Sequence, residues 1–174
     1  MEDLYMNYKQ TFIGLIITFI SVFLLACSTT KSSAEKAIES QQLAESIKDF
    51  KFKFNASYAN PQNYKSIYLS PYYDVTVSPD TIKAYLPYYG RAYTPPMNPS
   101  DGGIKFVSTK FDYEVQAGKK SGNWLVRIHT KDTNRGYTLV FDLWENGKAN
   151  LNVSHADKQS ISFQGDVIPL KKEK

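Results

Sequence analysis

Residues 123–153 read NWLVRIHTKDTNRGYTLVFDLWENGKANLNV, and the way they pair decides the fold. Trp124, Val126 and Ile128 recur at every second position, as do Leu139, Phe141 and Leu143. That period marks half-buried strands. Folding back across 131–136 sets Ile128 against Leu139, Val126 against Phe141 and Trp124 against Leu143. A slip of one residue would turn all of these side chains to the other face, so burial fixes the register. The next turn holds a conflict. Asn146-Gly147 is the signature of a two-residue type I′ hairpin, but that register faces Leu143 with Asn150 and Phe141 with Asn152. A three-residue loop, Glu145-Asn146-Gly147 with Gly147 left-handed, faces Leu143 with Ala149, Phe141 with Leu151 and Leu139 with Val153. The second register is chosen, because apolar burial outweighs turn preference. Ile161 and Phe163 then continue the sheet.

Upstream, a turn over 117–122 pairs Val115 with Trp124, Tyr113 with Val126 and Phe111 with Ile128. In that register Asp112 faces Arg127 as a cross-strand ion pair. A two-residue turn at Ser108-Thr109 pairs Phe106 with Phe111 and Ile104 with Tyr113. The stretch FKFKFNASY (50–58) alternates cleanly: Phe50, Phe52, Phe54, Ala56 and Tyr58 face one way, Lys51, Lys53, Asn55 and Ser57 the other. NPQN (60–63) breaks this strand. Shorter strands follow over 67–69, 72–77 and 82–86, punctuated by Pro71 and Pro79. The predicted fold is all-β with one N-terminal helix. It is a single domain over 50–170, an antiparallel meander of about nine strands forming a sandwich or a barrel-like curled sheet.

The helix is predicted over 34–49. Ser32 and Glu35 have capping-box spacing, and the segment is rich in Ala, Glu, Gln and Lys. Ile38, Leu43 and Ile47 face inward; the helix packs on the domain or acts as a spacer. Outward on the sheet lie Leu125, Val140 and Trp144. Either the helix or the N-terminal strands cover them, or they form an apolar patch that meets a partner.

Residues 11–26, TFIGLIITFISVFLLA, carry no charge. They are short of the roughly 20 residues a spanning helix needs and suit the apolar core of an export signal. Lys9 is the one basic residue before them, opposed by Glu2 and Asp3; a start at Met6 gives a positive MNYKQ. The only cysteine, Cys27, follows at once, so no internal disulfide holds the fold. Leu24-Leu25-Ala26-Cys27 resembles the lipobox of bacterial lipoproteins. The resemblance implies that 1–26 is a signal peptide and that Cys27 becomes the first residue, acylated on sulfur and nitrogen. Each buried methylene adds about 0.8 kcal/mol, so several chains anchor firmly. Residues 27–33 form a polar tether and 171–174 a basic tail. Losing the leader raises the net charge of +4 by one unit. There is no basic stripe with interleaved aromatics, so nucleic acid is excluded as a partner.

The densest stretch is 85–93, YLPYYGRAY, followed by Gly102-Gly103-Ile104. It resembles the LPY and GG motifs of an uncharacterised lipoprotein family of Bacteroides-like bacteria, domain of unknown function 4251, over roughly residues 45–168. The resemblance implies no activity and no catalytic residue. Pro87 ends a strand and removes a donor, and Gly90 permits a backbone turn other residues resist. Tyr85, Tyr88, Tyr89 and Tyr93 either close the end of the core or form a platform for a ligand, with Arg91 beside it.

The remaining chemistry is sparse. His129 faces outward and His155 lies in a turn; neither has a second metal ligand at useful spacing. No G-x-S-x-G is present. The expected function is therefore a non-enzymatic, lipid-anchored envelope module that binds an envelope protein, glycan or small molecule. It needs no cofactor beyond the covalent lipid on Cys27. The alternative is a structural or assembly factor of the outer membrane; a hydrolase is the third reading. Ser28 is not acidic, and no acidic cluster follows Cys27. Both point to the outer membrane, facing the periplasm.

Overall fold

The strongest sequence register is present residue for residue. Ile128 stands opposite Leu139, Val126 opposite Phe141 and Trp124 opposite Leu143. Across the next loop Leu143 meets Ala149, Phe141 meets Leu151 and Leu139 meets Val153, with Gly147 left-handed at φ +80°. Burial thus overrides the two-residue turn that Asn-Gly would favour. The structure is a computed structural model that describes residues 33–94 and 102–170. The leader, Cys27, Pro95, Pro96, Pro99, the tail 171–174 and the tether up to residue 32 lie outside the described residues, and Ser33, expected in the tether, begins the helix.

Among the described residues one helix, α1 (Ser33–Lys48), precedes ten strands. They are β1 (Phe52–Pro61), β2 (Ile67–Tyr68), β3 (Asp74–Val77), β4 (Ile82–Leu86) and β5 (Ile104–Ser108). After these come β6 (Phe111–Ala117), β7 (Asn123–Thr130), β8 (Tyr137–Trp144), β9 (Lys148–His155) and β10 (Lys158–Pro169). They form one antiparallel sheet in the order β5-β4-β3-β1-β10-β9-β8-β7-β6, with β2 beside β1. Strands β5 and β6 end that path on opposite sides, yet only Thr109 and Lys110 link them. The sheet must therefore curl until its ends nearly meet. This is a nearly closed barrel, not a two-sheet sandwich.

Closure corrects the expected pairing of Phe106 with Phe111 and Ile104 with Tyr113. β5 pairs with β4 instead, from Ile82↔Ser108 to Leu86↔Ile104. The link is not a hairpin turn: β6 pairs with β7, and the Asp132 carboxylate takes the N–H groups of Thr109 and Lys110. The β6–β7 pairing is offset by two residues from expectation: Tyr113 faces Ile128, Val115 faces Val126 and Ala117 faces Trp124. Ala117 belongs to the strand, so the loop is shorter. An offset of two keeps every side chain on its face. It moves Asp112 opposite His129, where its partner is Lys131 at 2.5 Å, not Arg127.

Two further expectations change in β1. The strand runs on through Asn60 and Pro61, with Pro61 opposite Ile161. A bulge between Ala56 and Tyr58 also breaks the alternation. Tyr58 therefore points outward while Ala59 is buried. Phe52 and Phe54 stay inward and meet Phe141 edge-on, with ring centroids 5.4 and 5.9 Å away. Such rings, wholly buried, contribute about 1.5–3 kcal/mol each in transfer free energy.

Helix α1 gives Leu43 and Ile47 to that same core. Ile38, expected inward, is 56% exposed; at 3.6 residues per turn it lies on the opposite side of the helix from Leu43 and Ile47. The helix end is tied down by the Tyr113 hydroxyl, which donates to the Ile47 carbonyl at 3.1 Å. Burial pushes that hydroxyl's pKa well up. Phe50 turns left-handed at φ 58° and lays its ring 3.7 Å from that of Tyr113. Because the buried helix residues join the inner core, they do not cover Leu125, Val140 and Trp144. Those three remain half-buried on the outer side.

Candidate ligand-binding surface

The LPYYG motif begins at the end of β4, where Leu86 is fully buried opposite Ile104. Pro87 stops the strand. The chain then folds so that Tyr88 lies back over Gly90. A Cβ on Gly90 would come within 2.7 Å of the Tyr88 hydroxyl oxygen. Gly90 is not among the left-handed glycines, so it is required for space, not for handedness as the sequence suggested. The Tyr88 hydroxyl shares its proton between the carbonyls of Arg91 (2.8 Å) and Gln159 (2.9 Å). Partial burial raises its pKa, the Gln159 hydrogen bond opposes that, and Tyr93 adds to it.

The second motif meets the first. A Cβ on Gly103 would fall 2.9 Å from the Leu86 carbonyl oxygen. The Gly103 carbonyl accepts from Lys158 Nζ at 2.8 Å, and that ammonium sits 5.1 Å over the Tyr88 ring. The backbone adds Gln159 N–H to Arg91 O and Tyr93 N–H to Asp157 O, with Ala92 bridged to Lys158. The two motifs are therefore a clasp. They fasten the β4–β5 connection to the start of β10.

The five residues predicted as one platform are thus divided. Tyr88 serves the clasp. Tyr89 and Tyr93 are exposed beside it, as is Arg91. Neither of the two surface depressions of about 320 and 330 Å³ is lined by Tyr88, Tyr89 or Arg91. Tyr85 lies elsewhere, on the outer face of β4 and 46% exposed.

Tyr85 has company that the sequence did not reveal. Its ring stacks on Tyr73, with centroids 5.6 Å apart and planes 14° apart. Lys105 Nζ lies 5.0 Å from the Tyr85 centroid. An open depression of about 330 Å³ runs past them, bounded by Asp74, Lys83, Tyr85, Lys105, Phe106 and Val107. Asp74 is already held by Lys53 at 3.0 Å, so Lys83 and Lys105 leave the surface positive. A flat, anionic group suits it: a ring face on Tyr85, a negative substituent between the two ammonium groups. Parity within β4 could have paired Lys83 with Tyr85. Lys105 needed the β4–β5 register, which no short turn sets.

The histidines are committed to structure. His155 Nδ1 accepts from the Asp157 N–H at 3.1 Å and its Nε2 donates to the Asn134 carbonyl at 2.8 Å. It closes β9 rather than lying in the turn after it. His129 Nδ1 bonds Thr138. Among the described residues, no three His, Cys, Asp or Glu side chains are grouped to hold a metal, and no helix is long and apolar enough to cross a membrane.

Comparison with known proteins agrees with this fold. The crystal structure of a DUF4251 family protein from Bacteroides eggerthii DSM 20697 is similar, with a TM-score of 0.58 at 12% identity. The match covers 79% of this chain and 92% of that one. At that identity the likeness is one of fold. No curated protein matches. The family model for Domain of unknown function (DUF4251) matches residues 34–167, the helix and nearly the whole barrel, and the chain belongs to that family.

Proposed function

We propose that this chain is a lipid-anchored, non-enzymatic binding domain of the cell envelope, and that it holds its ligand on the Tyr73–Tyr85 surface. The observation that carries this reading is the exposed ring of Tyr85, stacked on Tyr73 and flanked by Lys105. An exposed aromatic face with unneutralised cations suits ligand capture better than it suits a core. The anchor rests on Leu24-Leu25-Ala26-Cys27, with acyl chains on Cys27 and the domain facing the periplasm from the outer membrane. The lack of a catalytic role rests on the structural bonding of both histidines.

The test is crosslinking in native membranes, followed by purification of the wild type and of a Tyr85→Ala, Lys105→Ala variant. Both residues are on the surface, so both proteins should melt alike. Loss of a crosslinked species from the variant supports the surface. Equal yields of the same species from both would remove it. Intact mass of the purified protein tests the anchor separately: an unmodified thiol at Cys27 would end that part of the reading.

A further inference from the structure

The bulge in β1 does more than interrupt an alternation. It turns Tyr58 to the outer face, 42% exposed, directly opposite Gln164. Bulges re-aim side chains in this way and are frequent beside binding sites. On its other side Tyr58 pairs with Tyr68, which is 73% exposed; the rings meet edge-on at 5.4 Å. From this pair a cross-strand row runs through Gln164 on β10 and Asn150 on β9 to Asp142 on β8. Asn152 and Ser162 lie beside it. Beyond Asn150 an open depression of about 320 Å³ is bounded by Trp144, Asn146, Lys148 and Gln164, with Ala149 and Gly165 beneath. The Ala149 side chain is buried inward, so the floor there is backbone.

Three properties of this strip select an occupant. First, it carries little charge and no strong positive field. Lys148 is paired with Asp166 at 2.7 Å, and Asp142 accepts from the Asn123 amide. Second, its hydrogen-bonding capacity is unspent. Asn150, Asn152 and Gln164 are exposed, and their side-chain amides bond no other described residue. Each amide offers one acceptor and two donors, which matches hydroxyl groups that both give and accept. Third, aromatic rings stand at both ends, Trp144 at one and the Tyr58–Tyr68 pair at the other. Their flat apolar faces suit the C–H faces of sugar rings. The exposed Lys120 reaches over the half-buried Trp144 at 5.8 Å, a contact that a ligand can displace. Five strands at ~4.8 Å spacing make the strip about 19 Å across, too long for one sugar ring.

We propose that the outer face of β8, β9, β10 and β1 is a second binding site, specific for a neutral oligosaccharide. It stacks on Trp144 and Tyr58 and is held between them by Asn150, Asn152 and Gln164. The site is separate from the cationic Tyr73–Tyr85 surface and does not depend on it.

The two tryptophans make the test direct. Trp124 packs against the core while Trp144 borders the strip, so a ligand here changes the emission of Trp144 alone. The purified full chain is titrated with neutral hexasaccharides of glucose and of N-acetylglucosamine, in α-1,4 and β-1,4 linkages. At least one is expected to give a saturable emission change that Trp144→Phe abolishes. In calorimetry, Asn150→Ala, Gln164→Ala should weaken it at least tenfold with an unchanged melting temperature. Tyr85→Ala, Lys105→Ala should leave it unchanged, which separates this site from the first. The proposal is overturned if no hexasaccharide binds, or if Asn150→Ala, Gln164→Ala retains wild-type affinity.

Discussion

The carboxylate of Asp132, in the loop between β7 and β8, accepts the backbone N–H of Thr109 at 2.7 Å. It also takes the N–H of Lys110 and the hydroxyl of Ser108, a residue with no exposed surface. One side chain thus satisfies the two-residue link that brings the ends of the sheet together. The Ser108 hydroxyl above all, then the Thr109 N–H, lowers its pKa from 3.8 to about 2.

That shift gives a pH dependence of known sign. A carboxylate whose pKa is lowered by folding adds stability above its unfolded value. The contribution is full above about pH 5, falls as pH drops through 3.8, and is gone below about 2. Melting curves of wild type and Asp132→Asn should differ most at pH 7 and converge towards pH 2. A constant gap across that range would mean that the charge is not what holds the link.

The clasp makes a prediction about non-additivity. Tyr88→Phe removes one donor shared by two carbonyls and should cost about 0.5–1.5 kcal/mol. Gly90→Ala should cost more, since its methyl meets the Tyr88 ring and hydroxyl. In a Tyr88→Ala background that added methyl has nothing to strike. A double-mutant cycle by denaturant unfolding should therefore show strong coupling between the positions.

Phe141 stands between Phe52 and Phe54 at the centre of the core. Phe141→Ala leaves a cavity there and should lower stability by about 3–5 kcal/mol. The same measurement on Ile38→Ala, at the exposed helix position, should show less than about 0.5 kcal/mol.

Gly147 isolates the backbone contribution of the β8–β9 loop. A Cβ there would come no closer than 3.4 Å to the Val167 carbonyl oxygen, so space is available and only φ is strained. Gly147→Ala should cost about 1–2 kcal/mol, and Gly147→Asn clearly less, because asparagine tolerates the left-handed region. Equal losses for the two would point to a steric cause.

What could be read from the sequence follows the range of each interaction. Ile128 against Leu139 and Leu143 against Ala149 were legible because a short loop limits the choices and one-sided burial selects among them. Phe106 against Phe111 misled for the same reason: a short link looked like a hairpin, and closure by Asp132 was out of sight. The outward turn of Tyr58 depends on a bulge that composition does not announce. The role of Tyr88 depends on Gln159, 71 residues away. Tyr85 stands in the sequence only as one of the tyrosines of 85–93; its outward direction and its contacts with Tyr73 and Lys105 come from strand pairing.

The middle of the barrel is a seam between the two ends of the domain. β1 lies against β10, so Asn60 meets Ser162 across 102 residues of chain. A ribosome must therefore release nearly the whole polypeptide before that seam can form. Phe52 and Phe54 wait for partners that are synthesised last, so the barrel is completed only once the chain is whole, and slowly for its size.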